Sequence, residues 1–135
     1  MAKVFILEDN QERISIFKKY VKCEELIFAT SYFEAKTLWR DKYFDVVFLD
    51  HDLGGQTQAD CLREPNTGCR FAREHAESLF SCLVFVHSMN MHGRREISLI
   101  TNGSEVPFVC INWENLNCLL NDPEQIKSQI ENSIQ

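Results

Sequence analysis

No apolar run in the 135 residues approaches the roughly 18 needed to cross a bilayer. The amino-terminal stretch "MAKVFILEDN" has one lysine, a short apolar segment and then acids. It lacks the long apolar region and small-residue cleavage site of a signal peptide. Both absences predict a cytoplasmic protein without a membrane partner, whose first residues form a strand. Basic charge is in short supply as well. Lys and Arg number 14 against 20 Asp and Glu, for a net charge of -6, which argues against duplex nucleic acid by bulk charge while leaving a local basic pocket open. Cysteine is present, but its motif spacing is missing. No two of Cys23, Cys61, Cys69, Cys82, Cys110 and Cys118 form a C-x-x-C pair, which argues against structural zinc. In a cytoplasmic chain the six are expected to be reduced, half-buried thiols. Repeats, low-complexity segments and interdomain linkers are also lacking, so residues 1–135 are expected to form one domain.

What is there alternates between two periods. Lys3 to Leu7, Leu26 to Ala29, Asp45 to Leu49, Cys82 to Val86 and Val106 to Ile111 are short runs rich in apolar residues, as strands are. Between them lie helical patterns. Asp9 or Asn10 can cap a helix carrying Ile14, Phe17, Tyr20 and Val21. "SYFE" from Ser31 is a capping box ahead of Phe33, Leu38 and Trp39, in a helix expected to end near Lys42. Thr67 can cap a helix bearing Phe71, Ala72, His75, Ala76 and Leu79, with His75 on its apolar face as a core histidine. Met91 to Ile100 is a weaker helix, and Asp122-Pro123 starts a last one with Ile126, Ile130 and Ile134. Residues 54–66 show no apolar period, and so long a connection is more often functional than accidental. The predicted fold is α/β: a three-layer, doubly wound, five-stranded parallel sheet in the flavodoxin-like order 2-1-3-4-5.

Such a sheet presents the carboxyl ends of its strands on one edge, where ligands bind. Strand one ends in Glu8-Asp9, strand three in Asp50-His51-Asp52, and strand four in His87-Ser88, with Asn90 beyond. Each piece has a plain structural explanation as a cap or turn residue. Together they bring four carboxylates and two imidazoles to neighbouring strand ends, and clustered titratable groups mark sites.

Strand one followed by an acidic pair, and strand three ending in Asp50, resemble response-regulator receiver domains. That resemblance implies Glu8 and Asp9 as acids that bind Mg²⁺ and Asp50 as a phosphoacceptor; a cation held at this edge is expected to be Mg²⁺ or Mn²⁺. The chain departs from ordinary receivers where they carry a lysine at the end of strand five, since "VPFVCINWEN" has none, and near the end of strand four, where they place a Thr or Ser and this chain has His87 beside Ser88. "ILEDNQER", "FLDHDLGG", "NTGCRFA" and "VHSMNMHGR" together resemble the cyclic-phosphate-processing receiver-like domains. This second resemblance implies a receiver fold and a small phosphate-containing ligand, cyclic or nucleotide.

Cleaving such an ester requires a neutralised phosphate, an activated water and a protonated leaving oxygen. Two routes are open. In one, His51, raised in pKa by Asp50 and Asp52, is the acid and His87 the base. In the other, Glu8, Asp9 and Asp50 hold a cation that activates water. Arg13, Thr67, Ser88, Asn90 and Arg94 are the candidate phosphate ligands, through side chains or helix amides. A phosphoesterase is the leading expectation. A sensor or sponge that binds without cleaving, and a stand-alone receiver phosphorylated on Asp50 with a protein partner, are the alternatives.

Overall fold

A computed structural model of the chain describes residues 1–56 and 58–133. Five parallel strands form one sheet in the order β2-β1-β3-β4-β5. They are β1 (Lys3–Leu7), β2 (Glu25–Ala29), β3 (Val46–Leu49), β4 (Leu83–Val86) and β5 (Ser104–Glu105). The order is the one expected for strands joined by helices. β1, β3 and β4 are the inner strands, and apart from Lys3 the residues of β1 and β3 are buried on both faces, as parallel strands between helix layers must be. Alternation sorts them. Val4, Ile6, Val46 and Phe48 face one layer, with Phe17, Leu116, Leu119 and Leu120. Phe5, Leu7, Val47 and Leu49 face the other, with Tyr32, Phe71, Ala72 and Ile97.

The helices are α1 (Gln11–Tyr20), α2 (Tyr32–Leu38), α3 (Gly68–Glu74), α4 (Ala76–Leu79), α5 (Met91–Thr101), α6 (Trp113–Leu120) and α7 (Pro123–Ser133). Their starts follow local chemistry. Asn10, Ser31, Thr67 and Asn90 each accept a hydrogen bond from the backbone N–H three residues on. Asn10, not Asp9, caps α1. None of the helices in the described residues is long and apolar enough to cross a membrane.

Several expectations are corrected. α2 stops at Leu38 instead of reaching Lys42, because Trp39 turns into an aromatic cluster with Phe5 at 5.3 Å and Phe71 at 5.6 Å. The helix after Thr67 breaks at His75, whose ring stacks on Phe71 at 4.5 Å but which is half-buried and outside the core, contrary to the expected core histidine. Strand five is Ser104–Glu105, not Val106 to Ile111. Pro107 lacks the N–H a strand needs, and the chain turns through a 3-10 turn at Phe108–Cys110. α6 was not foreseen. Ile134 lies outside the described residues. Cys61 and Cys69, expected as free thiols, form a disulfide with Cα atoms 5.7 Å apart, while Cys23, Cys82, Cys110 and Cys118 are free.

Candidate active site

The strand register assembles the site. Leu7 lies opposite Leu49, and Leu49 opposite Val86. One residue further on, Glu8, Asp50 and His87 are therefore abreast on three neighbouring strands. The ladder continues that far, since Asp50 N–H donates to Leu7 O at 3.0 Å and His87 N–H to Leu49 O at 3.1 Å. Alternation also continues. Val4, Ile6 and Glu8 share a face with Phe48 and Asp50, so all three polar side chains point toward the α1 layer. One ligating atom from each lies within 4.8 Å of the others, and all three residues are buried.

Arg13, in the first turn of α1, closes the group from outside. Its Nε donates to Glu8 Oε1 at 2.7 Å and its Nη2 to Glu8 Oε2 at 3.2 Å. The same Nη2 stands 3.7 Å from Asp50 Oδ2. His87 Nε2 lies 3.0 Å from Glu8 Oε1. A carboxylate only accepts, so Nε2 carries the proton. Burial alone would raise the Glu8 carboxyl, but His87 and Arg13 outweigh it and hold it down at about 2. Asp50 goes the other way. Burial, and then the neighbouring Glu8 charge, push it up to about 8 against the pull of Arg13. Asp50 Oδ2 has no hydrogen-bond partner among the described residues.

The remaining candidates divide. Asp9 is half-buried and accepts from Gly55 N–H at 2.8 Å, so it serves the loop and not the cluster. His51, the next residue after Asp50, points to the opposite face. It is fully buried and its Nε2–H donates to Ala59 O at 2.6 Å. The expected pairing of His51 and His87 across one substrate is thereby corrected. Asp52 does not keep company with Asp50 either. It accepts from Ala59 N–H at 2.7 Å, Gln58 N–H at 3.1 Å and Asn90 Nδ2 at 3.2 Å. Thr67 is buried and capping α3, while Ser88 accepts from Asn90 N–H at 3.1 Å. Arg94 donates to Ser88 O at 2.9 Å and to Glu105 at 3.1 Å. Ser88, Asn90 and Arg94 thus form one rim beside the cluster, tied to Asp52.

Two glycines make the close approaches possible and were not singled out from the sequence. A Cβ at Gly68 would lie 1.7 Å from the Asp50 carbonyl oxygen, and one at Gly93 would lie 2.3 Å from the His51 ring. Gly93 carries a signal, since glycine inside a helical pattern points to close packing. The Arg13–Glu8 pair was also missed, because five residues separate them across a strand end.

A family model described as the cyclic-phosphate processing receiver domain matches residues 4–102. The chain belongs to this family. The match spans all the strand ends that build the cluster and stops before β5. Among solved structures, the signal receiver domain of a Vibrio parahaemolyticus protein described as a Luxo repressor superposes with a TM-score of 0.60 at 16% identity, over 99% of this chain and 97% of that one. The phosphorylated cyanobacterial phytochrome response regulator RcpA gives 0.49 at 16% identity, over 94% of each chain. At such identity the first likeness shows the fold. No curated protein sequence matches the chain.

Receiver relatives raise the question of a cation, and the residues present fit one. Glu8 and Asp50 each offer a carboxylate oxygen from a buried position and His87 a ring nitrogen once it gives up its Nε2 proton, and Asp50 Oδ2 has no hydrogen-bond partner among the described residues. The imidazole makes the set better suited to Mn²⁺ than to Mg²⁺, which prefers oxygen throughout. Among the described residues Asp9 is not part of this group.

Proposed function

We propose that this receiver domain is a phosphoesterase that opens a cyclic phosphate, of a nucleotide or a related small molecule, at the carboxyl edge of its sheet. The reading is carried by one observation: one ligating atom each of the buried Glu8, Asp50 and His87 converge to within 4.8 Å, and Asp50 Oδ2 has no hydrogen-bond partner among the described residues. The three residues would hold a divalent cation. When bound, that cation supplies Lewis-acid charge to a phosphate oxygen and activates water. The chain's own groups do the rest. Arg13 and Arg94 offer planar guanidinium donors for the phosphate oxygens. The rim of Ser88 and Asn90 lies at the start of α5, whose free amides favour an anion. Hydrolysis joins the water oxygen to phosphorus and breaks one ester P–O bond, and the leaving oxygen takes the proton. Because His51 faces away from the cluster, the arrangement favours the cation-assisted route over a pair of imidazoles.

The test is turnover of a cyclic-nucleotide panel by purified protein with and without Mn²⁺ or Mg²⁺. Cation-dependent turnover is expected, falling on the order of 100-fold or more in Asp50→Asn and His87→Ala. Turnover of no member, or turnover indifferent to both substitutions, defeats the reading. Tight binding without product would support a sensor instead.

A second reading draws on the same residue. Asp50 is the residue a receiver would phosphorylate, and its Oδ2 has no hydrogen-bond partner among the described residues. Labelling by a small phosphodonor with Mg²⁺ would support it. No lysine lies between Ser104 and Asn115 to couple such a phosphoryl group to a switch.

A further inference from the structure

The cluster is closed by a positive charge of the chain itself. Arg13 is 29% exposed at its side chain, whereas Glu8, Asp50 and His87 are at 0%, 4% and 1%. Of the four, only the guanidinium reaches solvent, so a ligand approaching from this side meets Arg13 first. Its backbone is fixed, because the Arg13 N–H is held by the Asn10 cap at 3.0 Å. Its side chain is a long flexible stem whose hydrogen bonds go to Glu8 alone, and Nη1 donates to nothing among the described residues.

The placement does not serve the helix. A cation in the first turn of α1 opposes the helix dipole, which favours acids there. The compensation is electrostatic. Glu8 is ionised in a buried site and needs a positive partner. Arg13 supplies it, while its Nη2 stands 3.7 Å from Asp50 Oδ2, which has no hydrogen-bond partner among the described residues. A guanidinium and a divalent cation cannot both sit against these two carboxylates without strong repulsion at such distances.

We infer that Arg13 is an exchangeable counter-charge: a divalent cation entering between Glu8 and Asp50 displaces its guanidinium, which then takes oxygens of the incoming phosphate. The inference rests on the cation site of the proposed function and adds its order and coupling. Each ligand removes an obstacle to the other. The cation frees the guanidinium for the phosphate, and a phosphate that draws the guanidinium outward uncovers the carboxylates. Linkage makes the effect reciprocal, so cation and phosphate tighten each other's binding by the same factor. The fork of guanidinium donors suits phosphate oxygens as well as it suits Glu8.

The experiment follows the Arg13 Nε–Hε resonance of the wild-type protein by NMR, together with Mn²⁺ affinity with and without inorganic phosphate. Mg²⁺ saturation should shift that resonance and end its protection from exchange. Arg13→Gln should bind Mn²⁺ more tightly than wild type by roughly tenfold, and inorganic phosphate should strengthen Mn²⁺ binding less in the variant than in wild type. Mn²⁺ or Mg²⁺ binding with the Arg13 resonance unmoved and still protected overturns the exchange but leaves the cation site standing. Failure of wild type and variant alike to bind either ion overturns both. Should Arg13→Gln not fold, the wild-type resonance decides, with Arg13→Lys as the second variant.

Discussion

Asp50 and Glu8 carry the same functional group on adjacent strands, yet their proton affinities move apart. Glu8 lies against Arg13 and His87 and holds its charge down to about pH 2. Asp50 is buried beside that charge and keeps its proton to about pH 8. The two shifts act on stability with opposite sign. Glu8 stabilises the fold above its ordinary value of 4.5, and this contribution is lost as pH falls toward 2. Asp50 ordinarily releases its proton near 3.8, whereas in the fold it holds it to about 8. Its stabilising effect is complete below about pH 4 and disappears as pH rises to about 8. Asp50→Asn keeps the site neutral at every pH. Relative to wild type, its stability should rise between pH 5 and 8, by on the order of 3 kcal/mol, less than the full shift because relaxation and water entry on ionisation reduce the burial penalty. Thermal melts of both proteins across that range decide. A difference that does not grow with pH means Asp50 is ionised in the fold.

At the scale of elements, the segment from β3 to α3 shows how two adjacent residues part. Alternation holds through Asp50 because the backbone ladder runs one residue past each strand. It then sends His51 to the far face, where His51 and Asp52 both grip Ala59, one at its carbonyl and one at its N–H. The Cys61–Cys69 disulfide and the Asp52–Thr67 bridge pin the same loop to α3. His51 is thus a loop anchor. His51→Ala should cost about 2–4 kcal/mol from lost packing and an unpaired buried carbonyl, while Mn²⁺ affinity stays within twofold. Urea denaturation and Mn²⁺ titration of the variant check it. Unchanged stability with lost cation binding would put His51 in the site after all.

The legible parts were those with local causes. Caps at Asn10, Ser31, Thr67 and Asn90 depend on neighbours within one turn, and strand ends at Glu8, Asp50 and His87 follow from apolar runs stopping. The misread parts depended on distant partners. Val106 to Ile111 is apolar, but it covers an apolar groove of about 500 Å³ with α6 and does not extend the sheet. α6 was hidden in the asparagine-rich "NWENLNCLLND", and the cysteine pairing required Cα atoms to meet across a loop.

For the whole molecule, the site lies at the carboxyl ends of the central strands β1, β3 and β4, while β5 and the turn after it form the sheet's edge. β1 and β3 are each paired on both sides and buried throughout their inner residues. β5 pairs through two exposed residues, and beyond it only single hydrogen bonds continue the edge, from Val106 N–H to Val86 O at 2.9 Å and from Phe108 N–H to His87 O at 3.0 Å. Local opening should follow that gradient, because it is cheapest where few buried contacts are lost. Amides of Phe5 to Leu7 and Val47 to Leu49 should exchange with solvent only through global unfolding. Those of Glu105, Val106 and Phe108 should exchange through openings at least about 2 kcal/mol easier. Native-state hydrogen exchange at increasing urea separates the two groups. Equal protection would mean that β5 and the turn after it belong to the same cooperative unit as the strands carrying Glu8 and Asp50. The His87 backbone would then be held as firmly from the edge side as from β3. If instead the edge opens separately, His87 is the one member of the cluster whose strand can loosen without unfolding the other two.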